Sequence, residues 1–436
     1  MAQKLSMKLI PALMLVAFSG AASASGFQLQ NQTGSGNGNA FAGAAASAED
    51  AGTVFFNPAG MTNLPQGLNA SISGTLLNRS IKFNNKGSTD SASHRFGAYS
   101  TDGGDAGGLA LLPASYVSYG ITPNWSVGIG MGPTFGNTTE YDNDFIGRSA
   151  GMFFAMEQIN INPSIAYKLN DKVSLGAGIN FAYNESHFKQ GVPTVITGVS
   201  PAGNFLDVKG DDWAVGYNLG AMFQISPSTR IGLAYRSQLD FELVGKENYD
   251  IAAPLVGLTT APRHIKAKLK TPANLSMAVS QKLSDKWEML GDITWTDWSV
   301  VDTLFVNDQN TGALLQKLPY NFRDTWRVGL GANYQYNDAW KFRFGVAYDQ
   351  TPVKHAEDRT MTLPDSDRTW LSFGAKYSLS KVASLDFGYT HIFFANAKTN
   401  RAVTTGYPGA ETLRQTISGD FKTSVDILSV QYNHTF

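Results

Sequence analysis

The sequence predicts an all-β fold: a 14-stranded antiparallel transmembrane β-barrel with an N-terminal hatch, or plug, inside its lumen. Three observations carry this expectation. Apolar and polar residues alternate with a period of two along most of the chain. Short polar turns take turns with long irregular segments, the rhythm of barrels with short turns at one rim and long loops at the other. The forty residues from Ser25 to Leu64 are rich in Gly and Ala and nearly uncharged, so they bury too little apolar surface to fold without a container.

Composition narrows the function classes. Net charge is −1 over 436 residues, and −3 once the segment carrying Lys4 and Lys8 is removed. No basic stripe stands out, so no nucleic-acid partner is expected. Cysteine is absent, which excludes disulfides, thiolate chemistry and cysteine-ligated metals; no metal or other cofactor is expected.

Residues 1–24 have the three parts of a secretory signal: basic Lys4 and Lys8, an apolar run from Leu9 to Phe18, and the small-residue cleavage site Ala22-Ser23-Ala24. That apolar run falls short of the roughly 20 residues a spanning helix needs. No later run reaches that length either. The expected organisation is a signal peptide over 1–24, a hatch over 25–65 and a barrel over 66–436.

Five turns share one grammar: Leu169–Lys172, Ser226–Thr229, Leu283–Lys286, Tyr336–Ala339 and Leu379–Val382. Ile121–Asn124 is a less regular sixth. Asn, Asp, Ser and Pro pre-form such bends. Alternation follows each turn, as in Trp340, Phe342, Phe344, Val346 and Tyr348 against Lys341, Arg343, Gly345, Ala347 and Asp349. Long loops are placed near 84–107, 137–155, 190–207, 246–260, 307–316, 350–367 and 399–415. The strands between them fall near 66–83, 108–120, 125–136, 156–169, 172–189, 208–225 and 229–245, then 261–283, 286–306, 317–336, 339–349, 368–379, 382–398 and 416–436.

A soluble sandwich would alternate similarly. Most of these strands exceed the five or six residues usual in water, and an even number closes an antiparallel ring without an edge, as lipid demands. The last strand ends Val430, Tyr432, His434, Phe436, like the terminal aromatic pattern of bacterial outer-membrane proteins. Charged residues predicted to face inward include Arg236, Asp292, Arg327, Lys341, Arg343 and Asp386. Such groups avoid lipid at a cost of about 2–4 kcal/mol per Arg or Lys. Two readings stay open for the cations Arg236, Arg327, Lys341 and Arg343: ion pairs that hold the plug, or a receptor for a ligand carboxylate.

Further motifs carry a resemblance. The start Ser25-Gly26-Phe27-Gln28-Leu29, then Ser35-Gly36, Ala40-Phe41-Ala42-Gly43, Glu49-Asp50-Ala51-Gly52 and Asn57-Pro58-Ala59, is similar to the FadL/TodX family of outer-membrane transporters for long-chain fatty acids and aromatic hydrocarbons. The likeness covers the whole mature chain. It implies a hatch whose Gly26, Phe27 and Leu29 touch the ligand, and a kink in the third strand that opens the wall sideways. It further implies that Asn57, Pro58 and Ala59 face that gap and that Trp125 and Gly128 form the kink, although the family often has Phe in place of Trp125.

Loop composition suits an apolar groove at the outer mouth, with Val192, Val195 and Ile196 in one loop and Leu255, Val256 and Leu258 in the next. Loop–loop packing is the other reading of those residues. The expected partners are a hydrophobic small molecule (fatty acid or aromatic hydrocarbon), outer-membrane lipid and lipopolysaccharide, and the barrel-assembly machinery, for a monomeric barrel. A general diffusion porin fits the polar inner faces but not a forty-residue plug. An enzyme is not expected: the six histidines are scattered, without a grouping of nucleophile or metal ligands.

Overall fold

Alternation between a lipid face and a lumen face sets the architecture of the computed structural model, which describes residues 26–90, 101–191, 205–250, 261–405 and 413–436. Fourteen strands follow one another in chain order. The first six are β1 Gly67–Asn85, β2 Gly108–Gly120, β3 Trp125–Glu140, β4 Phe153–Asn170, β5 Val173–Gly191 and β6 Phe205–Ser226. Four more run in two parts each: β7 Thr229–Arg236 and Leu239–Asp250, β8 Arg263–Thr271 and Asn274–Lys282, β9 Trp287–Thr296 and Thr303–Asp308, β10 Leu314–Pro319 and Thr325–Gln335. The last are β11 Trp340–Asp349, β12 Arg368–Ser378, β13 Ala383–Phe394 and Ala397–Thr405, and β14 Leu413–Thr435. Antiparallel pairing runs around the ring, and β1 closes it on β14 from Asn69↔Thr435 to Asn85↔Gly419. Closure removes the unpaired edge that lipid would penalise.

Exposed Ile72, Val215, Leu330 and Leu428 belong to the outer face, while Ser71, Asn218 and Asp292 on neighbouring positions are buried within. Beside the short turns, Trp125 packs on Tyr167, Trp287 on Tyr334 and Trp340 on Tyr377, with centroids 4.5–4.7 Å apart. These pairs form an interfacial girdle.

Strand boundaries differ from expectation around the second long loop. β3 runs on to Glu140 and β4 starts at Phe153, so the loop is shorter than 137–155. Interruptions within β7–β10 and β13 were not anticipated. In β8 the break falls at Pro272, which has no N–H for the ladder. The breaks in β9 and β10 bring Trp298 and Phe322 into one buried cluster with Phe27 and Phe135. Beyond the breaks, the long-loop ends of β6–β9 pack on their own core of Leu206, Val208, Phe241, Leu243, Ile265 and Val306. The expected lack of a basic stripe is corrected here: β8 carries exposed His264, Lys266, Lys268 and Lys270 at every second position.

Inside the ring lies the N-terminal segment. It holds three one-turn helices, α1 Gly34–Asn37, α2 Ala44–Ser47 and α3 Thr53–Phe56, and a 3-10 turn, Pro58–Asn63. Its bonds reach strands spaced around the circumference. Gly34 N–H donates to Gln431 on β14 (2.7 Å), Gly43 N–H to Asp292 on β9 (3.3 Å) and Asn57 Nδ2 to the Ala221 carbonyl on β6 (3.1 Å), while Ser73 on β1 donates to the Gln32 carbonyl (2.9 Å). Only a segment within the ring can reach all four. Room comes from inward glycines: on β3, a Cβ at Gly128 would sit 2.6 Å from Met61 Sδ and 2.8 Å from Val54 Cγ2.

Candidate ligand-binding site

The wall is incomplete at β3. β2 and β3 pair only between Ser115↔Met131 and Gly120↔Ser126. Above that level β3 keeps β4 but shifts register between Pro133 and Phe135. Proline offers no ladder donor, so a break there follows from the sequence Gly132-Pro133-Thr134. Across the break, β3 pairs with the start of the N-terminal segment instead of β2. Leu29 N–H donates to the Thr134 carbonyl (2.9 Å) and Gly136 N–H to the Phe27 carbonyl (2.8 Å), flanking a bridge between Gln28 and Phe135. Gln32 Nε2 donates to the Pro133 carbonyl, and its Oε1 accepts from the Tyr116 hydroxyl at 2.6 Å.

This places the predicted kink residues elsewhere. Trp125 lies at the turn end of β3, on the outer girdle, and Gly128 pairs regularly with Ser118 and Ser164. Gly128 serves close approach of the inner segment rather than bending. Asn57, Pro58 and Ala59 belong to the inner segment, and Pro58 shares a cavity lining with Thr134 and Phe135 of β3. They pack on β5 and β6, where Gly176 leaves space for Pro58 and Ala59, and Gly220 for Asn57. The Asn57 amide is spent on the carbonyls of Ala45 (2.8 Å) and Ala221, while its Oδ1 caps Ala59 N–H (3.1 Å).

Beside the gap lies a cavity of about 70 Å³ between the N-terminal segment and β3 and β6–β9. Leu29, Phe41, Phe55, Phe56 and Phe135 supply its apolar lining; Asn218, Arg236, Asn274 and Thr294 supply polar groups. Gln28, Gln30, Ser276 and the Arg327-paired Asp292 also reach this wall, so apolar and polar groups share the lining about equally, as suits an amphiphile. Phe27 is not in this lining. Its ring stands edge-on to Trp298 (4.8 Å) and Phe135 (5.9 Å), and Gly26, at φ +61°, lies against the Trp298 indole and donates its N–H to Asp365 (3.2 Å). Trp298 and Asp365 escaped the sequence reading, because Asp297-Trp298 continues the alternation of β9 and Asp365 sits in a long loop.

The four lumen cations divide sharply. Arg343, wholly buried, holds Glu49 of the segment and Asp386 of β13, both at 2.8 Å. Lys341 reaches Glu49 at 3.5 Å, and Arg327 binds Asp292 at 3.1 Å. Burial alone would raise the Glu49 carboxyl, but Arg343 and Lys341 outweigh it and hold it well below the ordinary 4.5. Arg236 is different. Among the described residues it has no carboxylate within 4.0 Å. Its guanidinium lies over the Phe55 ring (4.4 Å) and donates to the Phe55 carbonyl (2.9 Å) and to Asn180, at the cavity wall. Val192, Val195, Ile196, Leu255, Val256 and Leu258 lie outside the described residues.

A ring with the N-terminal segment inside it, a wall broken at the third strand and an amphipathic lumen cavity are features that can be set beside known outer-membrane channels. A sequence model of the outer membrane protein transport protein family (OMPP1/FadL/TodX) matches residues 15–436. The chain belongs to this family. It is accordingly an outer-membrane β-barrel of a family of hydrophobic-compound transport channels. Among relatives in the OMPP1/FadL/TodX family, outer membrane protein P1 of Haemophilus influenzae is 28% identical over the full length of both chains. The long-chain fatty acid transport protein of Escherichia coli K12 is also 28% identical, over 67% of this chain and 72% of the relative. A FadL homologue of Pseudomonas aeruginosa shares the fold, with a TM-score of 0.84 at 24% identity over 94% of this chain and 99% of that one.

Proposed function

We propose that the protein takes up long-chain fatty acids passively across the outer membrane. The acid binds in the lumen cavity and leaves sideways into the bilayer at the third strand. The observation that carries this reading is Arg236, a guanidinium without a carboxylate partner among the described residues, on the wall of a cavity lined by Leu29 and four phenylalanines. A fatty acid supplies both missing parts, an anion for the cation and methylenes for the rings. The name of the Escherichia coli relative agrees with that class.

In this reading residues 1–24 are removed and 25–65 act as the hatch. Sideways release has a physical motive: an apolar chain set free in water loses about 0.8 kcal/mol per methylene that it keeps in lipid. The interrupted β2–β3 pairing supports that route. Asn57 does not take part, since its amide is engaged on β6 and on Ala45.

The test is a binding series on the purified full-length barrel. Affinity should rise with acyl length and fall when the carboxylate is masked as its methyl ester. Toluene bound as tightly as palmitate would favour an aromatic-hydrocarbon channel. A steady large salt conductance without ligand binding would make the protein a porin.

A further inference from the structure

We infer that the outer face of β6–β8, on the long-loop side of the apolar band, docks the phosphates of a phosphorylated glycolipid of the outer leaflet. This rests on the outer-membrane location and not on the transported ligand.

The sequence from Arg263 to Lys270 alternates. Ile265 and Ala267 turn into the core of the extension, and His264, Lys266, Lys268 and Lys270 are exposed on the opposite face. Pairing then aligns further cations beside them. Lys246 on β7 stands directly opposite Lys209 on β6 and opposite His264 on β8. Like charges in direct register destabilise a sheet unless a counter-charge lies over them. Local acids answer only part of this: Glu185 pairs with Lys209 at 2.6 Å and Glu242 with Lys266. Glu242 also stands in register opposite Lys268, and Asp240 opposite Lys270. But Glu242 pairs with Lys266 and Asp240 accepts from Gln238 at 2.7 Å, which leaves Lys246, between Lys209 and His264, as the centre of the unanswered charge. Lys246, Lys268 and Lys270 have no carboxylate within 4.0 Å among the described residues.

Height selects the partner. Lower β8 turns exposed Leu275, Met277 and Val279 outward, so it faces the acyl chains. Lys270 lies about 16 Å further along a strand rising roughly 3.3 Å per residue. A strand tilted about 45° brings Lys270 to the head-group layer and sets Lys246, opposite His264, about 14 Å above it, so the lysines rise outward from that layer. Long lysine stems reach along apolar surface toward charge at that level. The anions fixed there in an outer leaflet are glycolipid phosphates, and clustered lysines at a membrane surface add their attractions.

The experiment uses the full-length barrel in neutral detergent and reads bound lipid by native mass spectrometry. The probes are bisphosphorylated lipid A, its dephosphorylated form, phosphatidylglycerol and inorganic phosphate. The wild type should retain bisphosphorylated lipid A, and the Lys246→Gln/Lys268→Gln/Lys270→Gln variant should hold it roughly tenfold or more weakly. Palmitate binding should be the same in both proteins, which separates this surface from the lumen site. Equal retention by the variant would overturn the proposal. So would equal binding of the dephosphorylated form or of phosphatidylglycerol, or displacement by inorganic phosphate alone, which would assign the site to the free anion. Should the triple variant fail to fold, loss of lipid A from the wild type on raising salt supports the proposal, and salt-insensitive retention overturns it.

Discussion

The Leu29 N–H donates to the Thr134 carbonyl at 2.9 Å, so the start of the inner segment takes the place that β2 leaves empty beside β3. The same few residues thus fill the gap in the wall and line the cavity. Leu29→Pro removes the donor without removing the segment. Dye leakage and single-channel conductance in lipid bilayers are expected to rise, while heat-modifiable mobility of the barrel stays as in wild type. Unchanged leakage would mean that this pairing does not seal the wall.

Arg236 offers a cleaner test of head-group recognition than the other lumen cations, because its loss leaves no carboxylate stranded among the described residues. Arg236→Gln keeps a donor near Asn180 and Phe55 but removes the charge. A charge-assisted bond contributes about 1.5–3 kcal/mol. Palmitate affinity should therefore fall about 10- to 100-fold. Binding of methyl palmitate should scarcely change, and isothermal titration of the two ligands on both proteins checks this.

Much of the barrel was legible because lipid outside and polar groups inside impose a period of two that no other spanning fold needs. Val346 and Tyr348 announce the outer face of β11 as plainly as Lys341 and Arg343 announce the inner one. The kink was less legible. Its sign was Pro133 within an alternating run, and the likeness drew attention to Trp125 and Gly128 instead. Trp298 was invisible for a different reason: nothing local distinguishes a residue that leaves its strand from one that continues it. The lysines of β8 were overlooked because a one-dimensional scan does not see the pleat that aligns them, nor the register that sets Lys246 beside His264.

Glu49 and Arg343 join the inner segment to β11, and the join is pH-dependent. The Glu49 carboxyl is held below its ordinary 4.5, so its contribution is fully present above that value. It is lost as pH falls through the lowered value. Dye leakage is accordingly expected to be flat from neutrality down to about pH 5 and to rise in stronger acid. Glu49→Gln should abolish that acid response. Arg343→Met should do more harm at neutral pH, by about 3–5 kcal/mol, because it strands Asp386 and leaves Glu49 only its longer contact with Lys341. Dye leakage across pH for wild type and Glu49→Gln checks the first comparison, and denaturant titration of wild type and Arg343→Met at neutral pH checks the second.

Glycine positions test whether the segment's seat is shaped by the barrel wall. A Cβ at Gly232 on β7 would overlap the Ala45 carbonyl, and one at Gly345 on β11 would overlap the backbone of Asn39. Neither obstacle is a flexible side chain, so the segment must lift. A Cβ at Gly74 on β1 meets nothing within 4 Å. Gly232→Ala and Gly345→Ala are expected to increase protease cleavage within residues 26–64 and to raise conductance, whereas Gly74→Ala should do neither. The pairing of β7 with β8 and of β11 with β12 runs through backbone groups that the added methyl does not touch, so all three variants should keep the far-ultraviolet dichroism of the wild type. Cleavage unchanged at Gly232→Ala would show that the inner segment can settle without the close fit to β7 described above.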